Sequence, residues 1–130
     1  MATSLARQDL RKLAKARLRD SEVLYGDRRY DGAVYLCGYV VELALKARIC
    51  RTLRWLDYRT GQGYQSFKTH DLEILLTLSG AEHRVKPAHL ADWSIVLTWD
   101  PELRYRPVGS ASQNDAHEIM EAARRLLKIL

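Results

Sequence analysis

One apolar stretch dominates the sequence, Tyr35-Leu-Cys-Gly-Tyr-Val-Val-Glu-Leu-Ala-Leu-Lys46. At 3.6 residues per turn, a helix through this stretch places small and apolar side chains on one narrow stripe, formed by Ala33, Cys37, Val40, Ala44 and Ala47. A helix that is apolar on most sides is buried among other helices, and its small side chains let neighbouring backbones approach closely. We therefore predict a long central helix over residues 30–56.

Two charges, Glu42 and Lys46, interrupt the apolar surface of this helix. They are four residues apart with the glutamate first, which is the order that favours an ion pair on one helix face. One interpretation is an ion pair at the edge of the core, with the lysine reaching water. The other is a polar site that holds a ligand or a partner subunit.

The length and composition of the chain fit a single globular domain over residues 1–130. The net charge is +5, and arginine outnumbers lysine by 15 to 6. Because a guanidinium group matches the geometry of phosphate oxygens, this bias allows nucleotide or nucleic-acid partners. Cys37 and Cys50 lie about 20 Å apart along the central helix, too far for a disulfide. We expect buried free thiols in a reducing compartment.

The sequence has no pattern that indicates export, a membrane span or a metal site. Arg7 and Asp9 come before any apolar run forms, unlike a signal peptide. The longest uncharged apolar stretch, residues 32–41, is too short to cross a membrane. The cysteines and histidines lack zinc-site spacing. We predict a soluble, cytoplasmic protein that binds no metal and no cofactor.

A first helix is predicted from Ser4 to Leu24, with Thr3 or Ser4 as its N-cap. Basic side chains recur along it every four residues and form a basic ridge, made of Arg7, Arg11, Lys15 and Arg19. Such a ridge is usually a solvated outer face. The alternative is contact with a phosphate backbone, which needs clustered cations of this kind.

The second half of the chain predicts two further helical segments and a final helix. Thr69 caps a short helix that ends at Gly80, and Lys86-Pro87 starts another that runs to about Trp99. Residues 100–111 form a loop, after which Ser112 and Asp115 cap the last helix. No strand is predicted. The fold class is all-α, an up-and-down bundle of four main helices whose third arm is broken near Gly80.

Several motifs occur in an order and spacing that resemble the HEPN domain, a helical module of prokaryotes and higher eukaryotes. They are Tyr30-Asp-Gly-Ala33, the turn Glu42-Leu-Ala-Leu-Lys46, Thr69-His70-Asp71-Leu72, and Arg104-Tyr105 ahead of the last helix. The resemblance covers nearly the whole chain. It implies a helical bundle, a homodimer, and a nucleotide- or RNA-linked role. Related domains partner minimal nucleotidyltransferases in toxin–antitoxin-like systems, and some are ribonuclease toxins.

The ribonuclease motif of the resembled family is an arginine followed, after four to six residues, by a histidine near the start of the last helix. His117 stands near that position, but the places for the arginine hold Ser110, Ala111 and Ser112. Arg84 and His89 have the bare spacing, although Pro87 between them opposes a regular turn. The family's usual cleavage route is therefore not indicated, and whether the chain is an enzyme stays open.

The best candidates for ligand contact are Arg104, Tyr105 and Arg106. The tyrosine can stack on a base while the two arginines meet phosphates. Glu42 and Lys46 form a second candidate site on the central helix. His70 and Asp71 begin a helix, where they can cap it or bind an anion.

We predict an accessory binding module for nucleotide or RNA that works with a minimal nucleotidyltransferase. One alternative is a ribonuclease toxin that uses His117 with a loop arginine, Arg104 or Arg106, since histidine can take a proton and arginine can stabilise a phosphate transition state. The other alternative is a dimeric interaction scaffold with no ligand.

Overall fold

Five α-helices and two short strands make up residues 5–130, the part of the chain that this computed structural model describes. The helices are α1 (Arg7–Gly26), α2 (Tyr30–Leu53), α3 (Leu72–Ser79), α4 (Glu82–Val96) and α5 (Gln113–Ile129). Strands β1 (Leu5–Ala6) and β2 (Asp57–Tyr58) pair antiparallel, with Leu5 opposite Tyr58. The predicted all-α bundle is confirmed, although the prediction of no strand missed this small sheet.

Helix α2 is the centre of the bundle, as its apolar pattern predicted. It contacts α1 most extensively and also packs against α5 and α3. The whole predicted stripe is buried, from Ala33 to Ala47, and so are both cysteines, which are free thiols. None of the described helices is long and apolar enough to cross a membrane.

The ends of α1 and α2 differ from the predicted ones because tertiary contacts decide them. Helix α1 begins at Arg7, since Leu5 and Ala6 before it are held in the strand pair with β2. The predicted caps Thr3 and Ser4 lie outside the described residues. Helix α2 ends at Leu53, three residues early, because Arg54 has a left-handed backbone with φ of 58°.

Helices α3 and α4 form the predicted third arm, broken at Gly80, whose φ is 73°. The predicted cap Thr69 is wrong: Asp71 accepts the N–H of Ile74 at 3.2 Å and caps α3. Helix α4 begins at Glu82, four residues before the predicted start, and Pro87 lies inside it. Proline removes a helical hydrogen bond and crowds the preceding turn, and the helix is kinked two residues later.

The loop over residues 100–111 contains a 3₁₀ helix, Pro101–Tyr105, where no regular structure was predicted. It is tied to the start of α2, because the Asp31 carboxylate accepts the N–H groups of Gly109 at 2.6 Å and Ala111 at 2.8 Å. The predicted capping box of α5 is confirmed, with Ser112 and Asp115 accepting each other's backbone N–H groups at 3.0 Å. The loop therefore has a fixed course between α4 and α5.

Candidate functional site

The loop residues Arg104, Tyr105 and Arg106 lie at the end of the 3₁₀ helix, where they face solvent. The Asp100 carboxylate begins this short helix by accepting the N–H of Glu102 at 2.7 Å. Tyr105 exposes 71% of its surface, and the Arg104 guanidinium lies over its ring at 4.9 Å from the centroid. The structure thus brings a cation and an exposed aromatic ring together, as the sequence indicated.

Tyr35 on α2 influences the charge of the Arg104 guanidinium. The polar contact with the Tyr35 hydroxyl raises the pKa of Arg104 above its ordinary value, and the contact with Tyr105 adds to this. The carbonyl of Tyr35 in turn accepts the indole N–H of Trp99 at 2.9 Å. The backbone of Tyr35 is therefore anchored to a buried tryptophan.

A groove of about 560 Å³ opens beside these loop residues. The first turns of α2 and α5, the end of α4 and the loop itself form its walls. One wall is apolar, with Val34, Ile95 and Leu103, and Arg104 and Arg106 lie on the loop side. A cleft of this size with an apolar wall and a few polar groups is typical of small-molecule sites.

The carboxylates in the groove are largely occupied by the protein itself. Asp31 accepts two loop N–H groups. Asp115 belongs to the capping box, and hydrogen bonds from the backbone and side chain of Ser112 lower the pKa of its carboxyl. The third carboxylate, Glu118, accepts the side-chain amide of Asn114 at 3.3 Å. Arg104 and Arg106 form no ion pair with a carboxylate side chain in the described chain, so they can donate to an anionic group.

A row of polar side chains continues from Arg104 along α2. The hydroxyls of Tyr35 and Tyr39 are 3.2 Å apart, and the Tyr39 ring packs edge-on against Trp99 and His70. Burial, together with the Tyr35 hydroxyl, raises the pKa of Tyr39 to about 12. This hydroxyl therefore stays protonated at neutral pH and can donate a hydrogen bond.

The predicted ion pair between Glu42 and Lys46 is confirmed at 3.2 Å, but the interpretation that Lys46 reaches water is wrong. Its side chain is only 11% exposed and its ammonium group lies over the Tyr58 ring at 5.3 Å. The sequence could not indicate this cover, since Tyr58 comes from β2. Ligand binding by Glu42 and Lys46 stays a prediction.

His70 joins this pair, a contact that the sequence analysis missed. Its Nδ1 lies 2.7 Å from the Glu42 Oε1, although the two residues are 28 positions apart. The Glu42 side chain is 4% exposed, whereas that of His70 is 57% exposed. The buried carboxylate therefore orients an exposed imidazole. The motif Thr69-His70-Asp71 was the only sequence signal for it.

The two candidate catalytic pairs are His117 with a loop arginine and Arg84 with His89. Neither histidine forms a hydrogen bond with its arginine in the described chain. His117 is exposed on α5 with its ring 6.1 Å from that of Tyr25, and among the described residues the groove lining includes Arg104 but not His117. His89 lies at the kink of α4, with its Nδ1 3.7 Å from the Asp92 carboxylate. Cleavage by His117 with a loop arginine stays a prediction.

Within residues 5–130, no cluster of three or more histidine, cysteine, aspartate or glutamate side chains is arranged to hold a metal ion.

Comparison with known proteins gives one match. No curated protein and no solved structure matches the chain. The sequence model of the HEPN domain, however, matches residues 7–130. The chain therefore belongs to the HEPN domain family.

Proposed function

We propose that this HEPN domain is a binding module for nucleotide or RNA, and that the ligand is held at the groove beside the loop of residues 100–111. The observation that carries the proposal is the exposed Tyr105 ring with the Arg104 guanidinium 4.9 Å from its centroid. Stacking of a base on an aromatic ring contributes about 1–3 kcal/mol and does not depend strongly on which base it is.

The groove supports the proposal because it offers both contacts that a nucleotide needs. Its apolar wall of Val34, Ile95 and Leu103 can cover the flat face of a base or a ribose. The guanidinium groups of Arg104 and Arg106 can each meet a phosphate with two hydrogen bonds. The Arg104 guanidinium already lies over the Tyr105 ring, and this arrangement before the ligand arrives lowers the entropy lost on binding.

Thermal unfolding with AMP, ATP and a 12-nucleotide RNA tests this proposal. A ligand at about 100 times its Kd stabilises the folded state by about 2.7 kcal/mol. For a domain of this size that raises Tm by roughly 10 °C. Arg104→Ala and Tyr105→Ala should abolish the shift.

Arg59→Ala is the matched control, because Arg59 also lies over aromatic rings, at 5.2 Å from Trp55 and 5.6 Å from Tyr64. It does not line the groove among the residues that the structure describes. A ligand-induced shift that survives Arg104→Ala and Tyr105→Ala, or that is lost equally in Arg59→Ala, would contradict the proposed site.

The proposal includes a homodimer and a minimal nucleotidyltransferase as protein partner, in a toxin–antitoxin-like system of the cytoplasm. Family membership supports it, and the free thiols of Cys37 and Cys50 suit a reducing compartment. Ile74 and Leu90, exposed by 46% and 58%, give the third arm apolar surface that a second copy could cover. Light scattering tests the dimer, and co-purification with a nucleotidyltransferase encoded by an adjacent gene tests the partner.

The ribonuclease alternative has its own test. If the chain is a toxin that uses His117 with a loop arginine, its expression arrests growth and His117→Ala relieves the arrest. Growth arrest that persists in His117→Ala but not in His70→Ala would instead assign the proton transfer to the imidazole that Glu42 orients. If expression causes no growth arrest and no ligand shifts Tm, but the protein forms a stable dimer, the scaffold alternative is supported.

A further inference from the structure

A second cavity, of about 780 Å³, lies at the other end of α2 from the groove. One wall comes from α1 and contains three of the four side chains of the basic ridge, joined by a further lysine: Arg7, Arg11, Lys12 and Lys15. In the sequence this ridge resembles a solvated outer face. In the folded chain these side chains instead line one side of an open cavity.

The opposite walls are basic as well, and they come from three other helices. Arg48 and Arg51 belong to α2, Arg84 to α4 and Lys128 to α5. Among residues 5–130, the cavity is therefore lined by eight cationic side chains and by no carboxylate side chain. It is termed the basic cavity.

The described chain does not neutralise this charge. Within residues 5–130, none of the eight cations forms an ion pair with a carboxylate side chain. Arg11 donates instead to the main-chain carbonyl of Leu127 at 3.0 Å, and Arg48 donates to a main-chain oxygen of Leu130 at 3.3 Å. The Leu127 contact cancels no charge, and even a terminal carboxylate at Leu130 would balance only one of the eight cations.

The crowding of like charges is visible at Arg48. Burial lowers the pKa of Arg48, and the positive charges of Arg51 and Arg84 lower it further. Collecting like charges without counter-charges opposes folding, and a bound polyanion removes that repulsion. The cavity therefore gains more from an anion than a scattered set of surface arginines does.

The lining indicates which kind of anion fits. Among the described residues the basic cavity has no aromatic side chain, so a base has nothing to stack on. Arg7 and Lys15 are eight residues apart on α1, which spans about 12 Å at 1.5 Å per residue. A row of cations of that length matches several successive phosphates better than one.

We propose that the basic cavity binds the phosphodiester backbone of single-stranded RNA. The inference rests on the proposed function for the nature of the ligand, but it uses none of the residues that line the groove. The two sites divide recognition between them. The basic cavity contacts the charged backbone without regard to sequence, and the groove with the neighbouring Tyr105 ring contacts a base.

Binding of a labelled 12-nucleotide RNA, measured by fluorescence anisotropy from 50 to 300 mM salt, tests the inference. The variant Lys12→Gln/Lys15→Gln/Arg51→Gln removes three exposed cations of the basic cavity. For single strands the logarithm of affinity falls with the logarithm of salt by about 0.7 per phosphate contacted. We expect the slope to become shallower by about 2, and the affinity at 100 mM salt to fall at least tenfold.

The matched control is Arg19→Gln/Arg28→Gln/Lys68→Gln, which removes the same charge from exposed residues that do not line the basic cavity in the described chain. It should keep nearly the wild-type slope. The cavity variant should also melt no lower than wild type at low salt, since it relieves repulsion, so lost affinity would not reflect unfolding. Equal slopes in the two variants would overturn the inference.

Two further arms separate this inference from the proposed function. Affinity lost in Arg104→Ala and Tyr105→Ala, but kept in the cavity variant, would overturn the inference and leave the groove proposal standing. The reverse result would support the basic cavity and overturn the groove. Tripolyphosphate that displaces labelled RNA as effectively as unlabelled RNA would overturn the assignment to a nucleic-acid backbone. If the wild-type protein binds no RNA, the inference is overturned, and thermal unfolding in the presence of ATP still tests the groove.

Discussion

Gly38 in the middle of α2 allows the indole ring of Trp99 to lie directly on the helix backbone. A methyl group built at Gly38 would lie 1.9 to 2.2 Å from three ring atoms of Trp99. Trp99 is only 4% exposed, and its indole N–H donates to the Tyr35 carbonyl at 2.9 Å. Gly38→Ala therefore forces a buried aromatic ring out of its place.

The expected cost follows from two opposing effects. In an ordinary helix interior, alanine is more favourable than glycine by about 1 kcal/mol. Losing the packing of a large aromatic side chain costs about 3–5 kcal/mol. We therefore expect Gly38→Ala to lower the free energy of unfolding by about 2–4 kcal/mol, measured by urea denaturation followed by circular dichroism.

A double-mutant cycle with Trp99→Ala isolates the contact. When the indole is absent, Gly38→Ala should no longer destabilise and should gain up to about 1 kcal/mol, its intrinsic helix preference. Gly26→Ala is the control, because a methyl group there meets nothing within 4 Å. If Gly38→Ala is as stable as wild type, or costs the same with and without Trp99, the reasoning from the close contact is wrong.

The same substitution has a functional consequence. Trp99 lies two residues before the 3₁₀ helix that presents Arg104 and Tyr105, and its indole N–H donates to the backbone carbonyl of Tyr35. A displaced indole should move that loop. We expect Gly38→Ala to weaken binding at the groove more than at the basic cavity, which lies at the far end of α2.

Four other predictions concern stability and reactivity. Lys46→Met leaves a buried carboxylate with His70 as its remaining partner and should cost about 3 kcal/mol in urea unfolding, more than the double replacement Glu42→Gln/Lys46→Met. Ser112→Ala removes the cap of α5 and should cost about 1 kcal/mol. The capping hydrogen bonds lower the pKa of Asp115 in the folded state, so its contribution to the free energy of unfolding is present above the unfolded pKa of about 4 and is lost as pH falls through the folded pKa. Asp115→Asn should therefore reduce the loss of stability in acid, measured by urea unfolding at a series of pH values. Burial raises the pKa of the Cys37 thiol to about 11, so alkylation at pH 8 should be negligible in the folded protein and complete in urea, and rapid labelling of the folded state would refute this.

The bundle could be predicted because its signals are local. The apolar stripe of α2 depends only on the 3.6-residue repeat, and the capping box of α5 depends on two residues three positions apart. The break at Gly80 likewise needs only a residue that tolerates a left-handed backbone. Helix ends were less predictable. Thr69 and Asp71 are both good caps, and which one acts depends on where the preceding loop places the chain.

The candidate sites were predictable only in part. Arg104 and Tyr105 are neighbours in sequence, so their pairing needs no tertiary information. His70 and Glu42 come from different elements, and only the packing of the segment before α3 against α2 brings them to 2.7 Å. The burial of Lys46 under Tyr58 depends in the same way on the small sheet.

The order of the amino acids was enough to predict that this chain forms helices, which helix is central, and which motifs it carries. It did so because helical periodicity, caps and short motifs are properties of neighbouring residues. The contacts between distant side chains became known only from the folded chain: the indole of Trp99 over Gly38, the imidazole of His70 on Glu42, and the eight cations of the basic cavity. Those contacts depend on how whole helices cross and pack, and no local pattern specifies that geometry.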